Sequence, residues 1–172
     1  MKRIVFPALF LLATAIASGQ VRFRSIVEEQ VKWLFPDSTS FSVKGWTPPH
    51  IKVYKGDPAR PESLEGFVFW TQDLAPKERG YDGPIEVLVG MDTKGTLSGI
   101  IVLRHHEPYG NFSVDTEGFA NQFEGKRIQE PFRVGSDVDA VSRATISVTS
   151  ATRAIKNSAR RMATQFLSPP GL

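Results

Sequence analysis

The β-forming runs of this chain follow one another instead of alternating with helical patterns. That order favours an α+β fold with an antiparallel sheet over a parallel α/β fold. "LEGFVFWTQDL" (64–74), "PIEVLVGM" (84–91) and "TLSGIIVLRHH" (96–106) are rich in β-branched and aromatic residues. Asp92-Thr93-Lys94-Gly95 joins the last two and is a good hairpin signal. "FSVKGW" and "HIKVYKG" read as two short strands around the Thr47-Pro48-Pro49 turn, and "KGDPARPES" reads as a loop.

Helical patterns flank this β region. Phe23, Ile26, Val27, Val31 and Leu34 fall at helical spacing, and Pro36 stops that helix. "TEGFANQFEG" predicts a short helix ended by Gly125. Ala151, Ala154, Ile155, Ala159, Met162, Ala163 and Phe166 make one apolar stripe, so the C-terminal helix is amphipathic. Ser168-Pro169-Pro170-Gly171 ends it.

The first 20 residues read as a secretory signal. Lys2 and Arg3 precede the apolar run "IVFPALFLLATAIA", and small residues at Ala15–Gly19 offer cleavage sites. The expectation is export, to the periplasm or the outer face of the cytoplasmic membrane. The organisation expected is 1–20 signal, 21–79 an N-terminal helix and strands of the same compact unit, and 80–167 the functional domain. An uncleaved anchor is the alternative for the signal. The chain has no cysteine, which excludes disulfides, thiolate metal sites and haem c. Removing Lys2 and Arg3 from the formal charge of +3 leaves +1, so nucleic acid is not an expected partner. From Val141 onward Arg143, Arg153, Lys156, Arg160 and Arg161 are met by no acid. They make either a solvated helix face or a docking face for an anion or an acidic partner.

"DAVSRATISVTS" (139–150) loads the start of the last helix with Ser142, Thr145, Ser147, Thr149 and Ser150. The helix is expected to begin among Ser147, Thr149 and Ser150, with Thr145 just before it. A helix start offers unpaired N–H groups and a partial positive charge, which suit a phosphate. The Thr145 hydroxyl can cap the helix, or it can be esterified to a phosphate that the helix then stabilises.

"DAVSRAT" resembles the flavinylation motif of the FMN-binding domain family, with Asp139, Ser142, Ala144 and Thr145 matching and Arg143 standing where glycine is usual. That family includes covalent-flavin subunits of the Rnf complex and of the sodium-pumping NADH:quinone reductase, and a domain of the nitrous-oxide reductase regulator. "GYDGPIEVLVGMD", "GTLSGIIVLRHHEP" and "FANQFEGK" resemble further stretches of such domains in the right order, and "HHEP" with "SRAT" is nearer the regulator branch. The resemblance implies an exported electron carrier, with FMN joined by a phosphoester to Thr145 by a flavin transferase. It also implies a membrane-bound or periplasmic redox partner. Asp139, Ser142, Arg143, Ala144 and Ser147 would hold the cofactor from the motif. Tyr81, Gly83 and Pro84 would do so from the strand entry, and His106 and Glu107 from the loop after the hairpin.

Arg143 is a departure, because a glycine takes positive φ freely and an arginine does not. Its guanidinium is nevertheless a strong phosphate donor. Two adjacent histidines on a strand point to opposite faces, so His105 and His106 do not suit one metal ion, and no metal is expected. The alternative function is a non-redox sensor or assembly module of the same fold without flavin. A reductase with its own small substrate would rest on His106 and Glu107 alone.

Overall fold

The structure is a computed structural model and describes residues 27–167. The signal, Phe23, Ile26 and the Ser168–Gly171 stop lie outside the described residues. A helix α1 covers 27–34. Then come β1 (Ser40–Phe41), β2 (Gly45–Trp46), β3 (Pro49–Tyr54), β4 (Leu64–Trp70), a one-turn helix α2 (Thr71–Leu74), β5 (Glu86–Asp92), β6 (Leu97–Arg104), α3 (Glu117–Asn121) and α4 (Thr145–Phe166). The sheet is six-stranded and antiparallel throughout, in the order β1-β3-β4-β5-β6, with β2 also paired to β3. The expected α+β fold, with its antiparallel sheet, flanking helices and C-terminal helix, is therefore present.

"FSVKGW" is not one strand. Ser40–Phe41 pairs with Val53–Tyr54, and Gly45–Trp46 pairs with Pro49–His50, so one edge of β3 is covered in two pieces. "LEGFVFWTQDL" also divides, because Thr71 leaves the sheet and its hydroxyl accepts the Val87 N–H at 3.0 Å. The hairpin at Asp92–Gly95 forms as read. Gly95 takes φ 83° and the Asp92 carboxylate accepts the N–H groups of Lys94 and Thr96, both at 2.8 Å. The short helix ends at Asn121 and not at Gly125, although Gly125 does take φ 75°. Its N–H turns instead to the Leu97 carbonyl, so the glycine directs the chain back to the edge of β6.

Strand alternation divides the core between the two faces of the sheet. Phe67, Phe69, Val87, Val89 and Met91 pack with Val148, Ala151, Ile155, Ala159 and Met162 of α4. Val68 and Leu88 pack with Val27, Val31, Leu34 and Phe35 on the other face. α1 can lie this close because Gly90 has no side chain. A Cβ there would stand 3.2 Å from both Leu34 Cβ and Phe35 Cε2 and would collide with the Ser98 hydroxyl. Gly90→Ala is expected to lower the thermal midpoint through overpacking of about 1–3 kcal/mol, read by calorimetric or circular-dichroism melts. An unchanged midpoint would mean that α1 is not held against this face.

The basic residues of α4 largely face their own chain. Arg153 pairs with Glu78 at 3.0 Å, and Lys156 donates to the Pro131 carbonyl at 2.9 Å. Arg160 donates to the Ile128 and Glu130 carbonyls, and Arg161 to that of Leu74. They tie α4 to the segments at 74–78 and 128–131, while Arg153 and Arg161 stay exposed. Among the described residues no helix is long and apolar enough to cross a membrane.

Candidate functional site

The last helix begins earlier than its sequence pattern suggests. Thr145 is its first residue, Ala144 is the N-cap, and no side chain of the cap accepts from the first turn. The capping role for Thr145 is therefore not realised, since a residue inside the first turn cannot cap the turn that contains it. No acid lies in that turn. Thr145 is exposed, as is Ser142, while Ser147 and Ser150 are buried. The hydroxyls thus divide by position on the helix and are not a collective cap.

Arg143 takes φ 68°. It holds the left-handed conformation that glycine would supply without strain. The tight turn into the helix, with the Ala144 N–H on the Val141 carbonyl at 3.1 Å, forms in spite of the side chain. Arg143 is exposed and makes no hydrogen bond or ion pair among the described residues. Arg143→Gly is expected to raise stability. Relief of about 1–2 kcal/mol of left-handed strain exceeds the roughly 0.5–1 kcal/mol of extra unfolded-state entropy. Arg143→Ala keeps the strain and is expected to leave the melting midpoint unchanged, so the pair of melts separates backbone from charge.

Glu107 gathers three distant segments. It is buried, and its carboxylate accepts the backbone N–H groups of Tyr81 at 2.9 Å and Asp82 at 3.0 Å. The Ser147 hydroxyl, in the first turn of α4, donates to the same carboxylate. Burial opposes ionisation of Glu107, but Ser147, the two backbone donors and nearby His105 outweigh it and hold the carboxyl below the usual glutamate range. Gly80 is needed beside it, because a Cβ there would fall inside contact distance of the carboxylate. The strand-entry loop, the loop after β6 and the start of α4 therefore meet on one ionised side chain.

The remaining sequence candidates sit around this anchor. Gly83 takes φ 118° and its carbonyl accepts the Gly80 N–H at 2.7 Å, which closes the turn that presents exposed Tyr81 and Pro84. Asp139 is exposed and its N–H donates to the Gln122 side chain at 2.6 Å, linking the motif to the segment after α3. His105 and His106 lie past the end of β6 and not on it, so strand alternation does not orient them. His106 is exposed. Nδ1 of His105 accepts the Glu107 N–H at 3.2 Å, and its Nε2 lies 3.7 Å from Asp115. Among the described residues no three His, Asp or Glu side chains cluster as a metal site.

Two residues next to these candidates, Ile146 and Phe112, escaped the sequence reading, and a third, Tyr109, read only as part of the turn after Glu107. Ile146 is 57% exposed beside Thr145, and Tyr109 and Phe112 are 49% and 79% exposed in the turn after Glu107. With Tyr81, they are large apolar side chains left in solvent on the segments that Glu107 joins. Exposure of this kind leaves no mark in the sequence, where an isolated apolar residue does not show which way it faces.

A family model described as the FMN-binding domain matches residues 80–160. Curated relatives are ion-translocating oxidoreductase complex subunits G. The protein from Yersinia pestis is 32% identical over 90 residues, covering 46% of this chain and 43% of its own length. Those from Erwinia tasmaniensis and Vibrio vulnificus are 31% and 29% identical over 102 and 112 residues, covering 54% and 58% of this chain and 47% and 52% of theirs. The chain spans about half the length of the curated relatives it matches.

Proposed function

Residues 80–160 of this chain belong to the FMN-binding domain family, and from that premise we propose that it is an exported electron-transfer protein carrying FMN on Thr145. The observation that carries the reading is the exposed Thr145 hydroxyl in an uncapped, acid-free first turn of a 22-residue helix. The residues present fit such a cofactor. The helix start and the Arg143 guanidinium suit a phosphate, and Tyr81, Tyr109, Phe112 and Ile146 suit the face or edge of a flat ring system.

Bound FMN would supply reversible electron transfer; the chain's residues supply tether, orientation and electrostatics. Attachment joins the Thr145 oxygen to the phosphate with loss of the elements of one water, and a flavin transferase is the proposed agent. Thr145 fixes the phosphate end. The Glu107 anchor fixes the loops on which Tyr81 and Phe112 stand, so the ring end would be held by residues that do not touch the phosphate. Ser142 and Ala144 belong to the turn that precedes Thr145 and Asp139 leads into it, while Gly83, Pro84 and His106 stand on the two loops that Glu107 joins. The three relatives named above are subunits of an ion-translocating oxidoreductase complex, which supports a membrane-bound redox complex as partner. The basic Lys2-Arg3 pair and the apolar run after it support the export part of the reading.

The test is the intact mass and visible spectrum of the protein co-produced with a flavin transferase. A mass gain of one FMN less one water, in a yellow protein, is expected. Colour without mass gain means reversible binding, and neither means an assembly module without flavin.

A further inference from the structure

We propose that the open edge of β6 is a docking slot for an extended, basic segment of a partner protein. β6 is the last strand of the sheet. Its beginning is covered, since the Leu97 N–H donates to the Lys126 carbonyl at 2.9 Å and the Leu97 carbonyl accepts the Gly125 N–H at 2.8 Å. Beyond that point, among the described residues, no strand pairs with its outer side. Natural edges are blunted by charge, proline or a covering element. The run Ser98-Gly99-Ile100-Ile101-Val102-Leu103 carries no charge and no proline.

The edge lies at the bottom of a groove of about 270 Å³. Three successive residues, Ile100, Ile101 and Val102, line it. Successive side chains of a strand point to opposite faces, so a groove that touches all three runs along the strand's edge and exposes its backbone groups. Trp33, 57% exposed, forms one wall, and Asp115 and Glu117 stand on the other. A strand added here would complete the ladder with its backbone and place alternate side chains against Trp33 and the acidic wall, which is β-strand addition.

The charge selects the occupant. The lining residues include two carboxylates and no cation, and the Asp115 side chain is 53% exposed. A second copy of this chain would bring the same carboxylates towards one another, whereas a segment alternating apolar and basic residues would neutralise them. The slot also leads to the site. Asp115 lies 3.7 Å from His105, whose Nδ1 holds the Glu107 N–H, so a docked segment would end beside the loop that Glu107 anchors. The slot itself is independent of whether Thr145 carries flavin.

The probe is a fluorescent peptide of alternating lysine and valine, mixed with the full chain and followed by anisotropy and by amide hydrogen exchange. Saturable binding with protection of the amides within 98–103 is expected. Affinity should fall about tenfold or more in the double variant Asp115→Lys, Glu117→Lys, and a glutamate–valine peptide should not bind. Equal binding of the acidic peptide, equal binding of a backbone N-methylated basic peptide, or protection confined to other segments would overturn the proposal. So would concentration-dependent protection of 98–103 without peptide, which would identify a second copy as the occupant. The exchange map uses the unaltered chain and stands even if the charge variant fails to fold.

Discussion

Thr145→Ala, co-produced with a flavin transferase, is expected to lose the whole mass gain of one FMN less one water. The loss should be complete, because attachment needs an oxygen nucleophile at that position and alanine has none. The fold should survive. Thr145 is exposed, caps nothing and contributes no core contact, so its replacement at a helix N-terminus falls within about 0.5 kcal/mol of neutral. Thr145→Ser keeps the oxygen and is expected to retain attachment at a reduced rate. Ser147→Ala is the matched control. That hydroxyl is buried on Glu107, and its loss should lower stability without removing the attachment point. Mass spectrometry separates these outcomes without any activity measurement. A full mass gain in Thr145→Ala would move the attachment to another hydroxyl, and exposed Ser142 would be the first to test. A residual yellow colour in that variant, removed by dialysis, would show that the chain binds FMN reversibly before the bond is made.

The sheet and its helices were legible because their signals are local. The Asp92–Gly95 hairpin, the β-branched runs and the stripe from Ala151 to Phe166 each carry a period or a turn residue that a single segment displays. The boundaries were not legible where tertiary contacts set them. Helix α4 reaches back to Thr145 because Ser147 is drawn onto Glu107, 40 positions earlier in the chain, and a capping argument from the hydroxyls alone cannot see that partner. Thr71 leaves its strand for a similar reason, its hydroxyl being occupied by Val87. Arg143 was legible as a departure from glycine, and the structure shows its backbone at φ 68° all the same. A motif can therefore keep its turn while changing the residue, with strain taking the place of glycine's freedom. The basic run on α4 read first as a solvated face, with a docking face for an anion or an acidic partner as the alternative. The carbonyls of Leu74, Ile128, Glu130 and Pro131 that accept from Lys156, Arg160 and Arg161 come from distant segments, which the helix pattern does not display. The open edge of β6 could not be read at all, since strand order is a property of the assembled sheet.

Glu107→Ala is expected to lower stability by about 3 kcal/mol, because it removes charge-assisted hydrogen bonds, each worth roughly 1.5–3 kcal/mol, and leaves the buried Ser147 hydroxyl without its acceptor. The N–H groups of Tyr81 and Asp82 recover water, since both residues are exposed, so the loss stays below the sum of the three bonds. Glu107→Gln keeps the shape and one acceptor oxygen but not the charge, and it should fall between alanine and the parent. The same carboxylate makes stability depend on pH with a definite sign. Its folded pKa lies below the ordinary value of 4.5. Above that value both folded and unfolded chains are ionised, and the whole stabilisation is present. As the pH falls below it, the unfolded chain takes up the proton first and stability is lost until the folded carboxyl protonates as well. Glu130 and Asp137 are depressed too, in each case helped by Lys126 and by backbone N–H groups, and they add to the same acid slope. The comparison that isolates Glu107 is therefore the difference between parent and Glu107→Gln in urea melts at neutral pH and at pH values below 4.5. The gap should narrow on acidification. A gap that is constant with pH would mean that the carboxyl has the same pKa in the folded and unfolded chains, so that the fold does not favour the anion; a gap that widens on acidification would mean that the carboxyl is neutral in the folded chain and joins the two loops and α4 as an ordinary hydrogen-bonding acid.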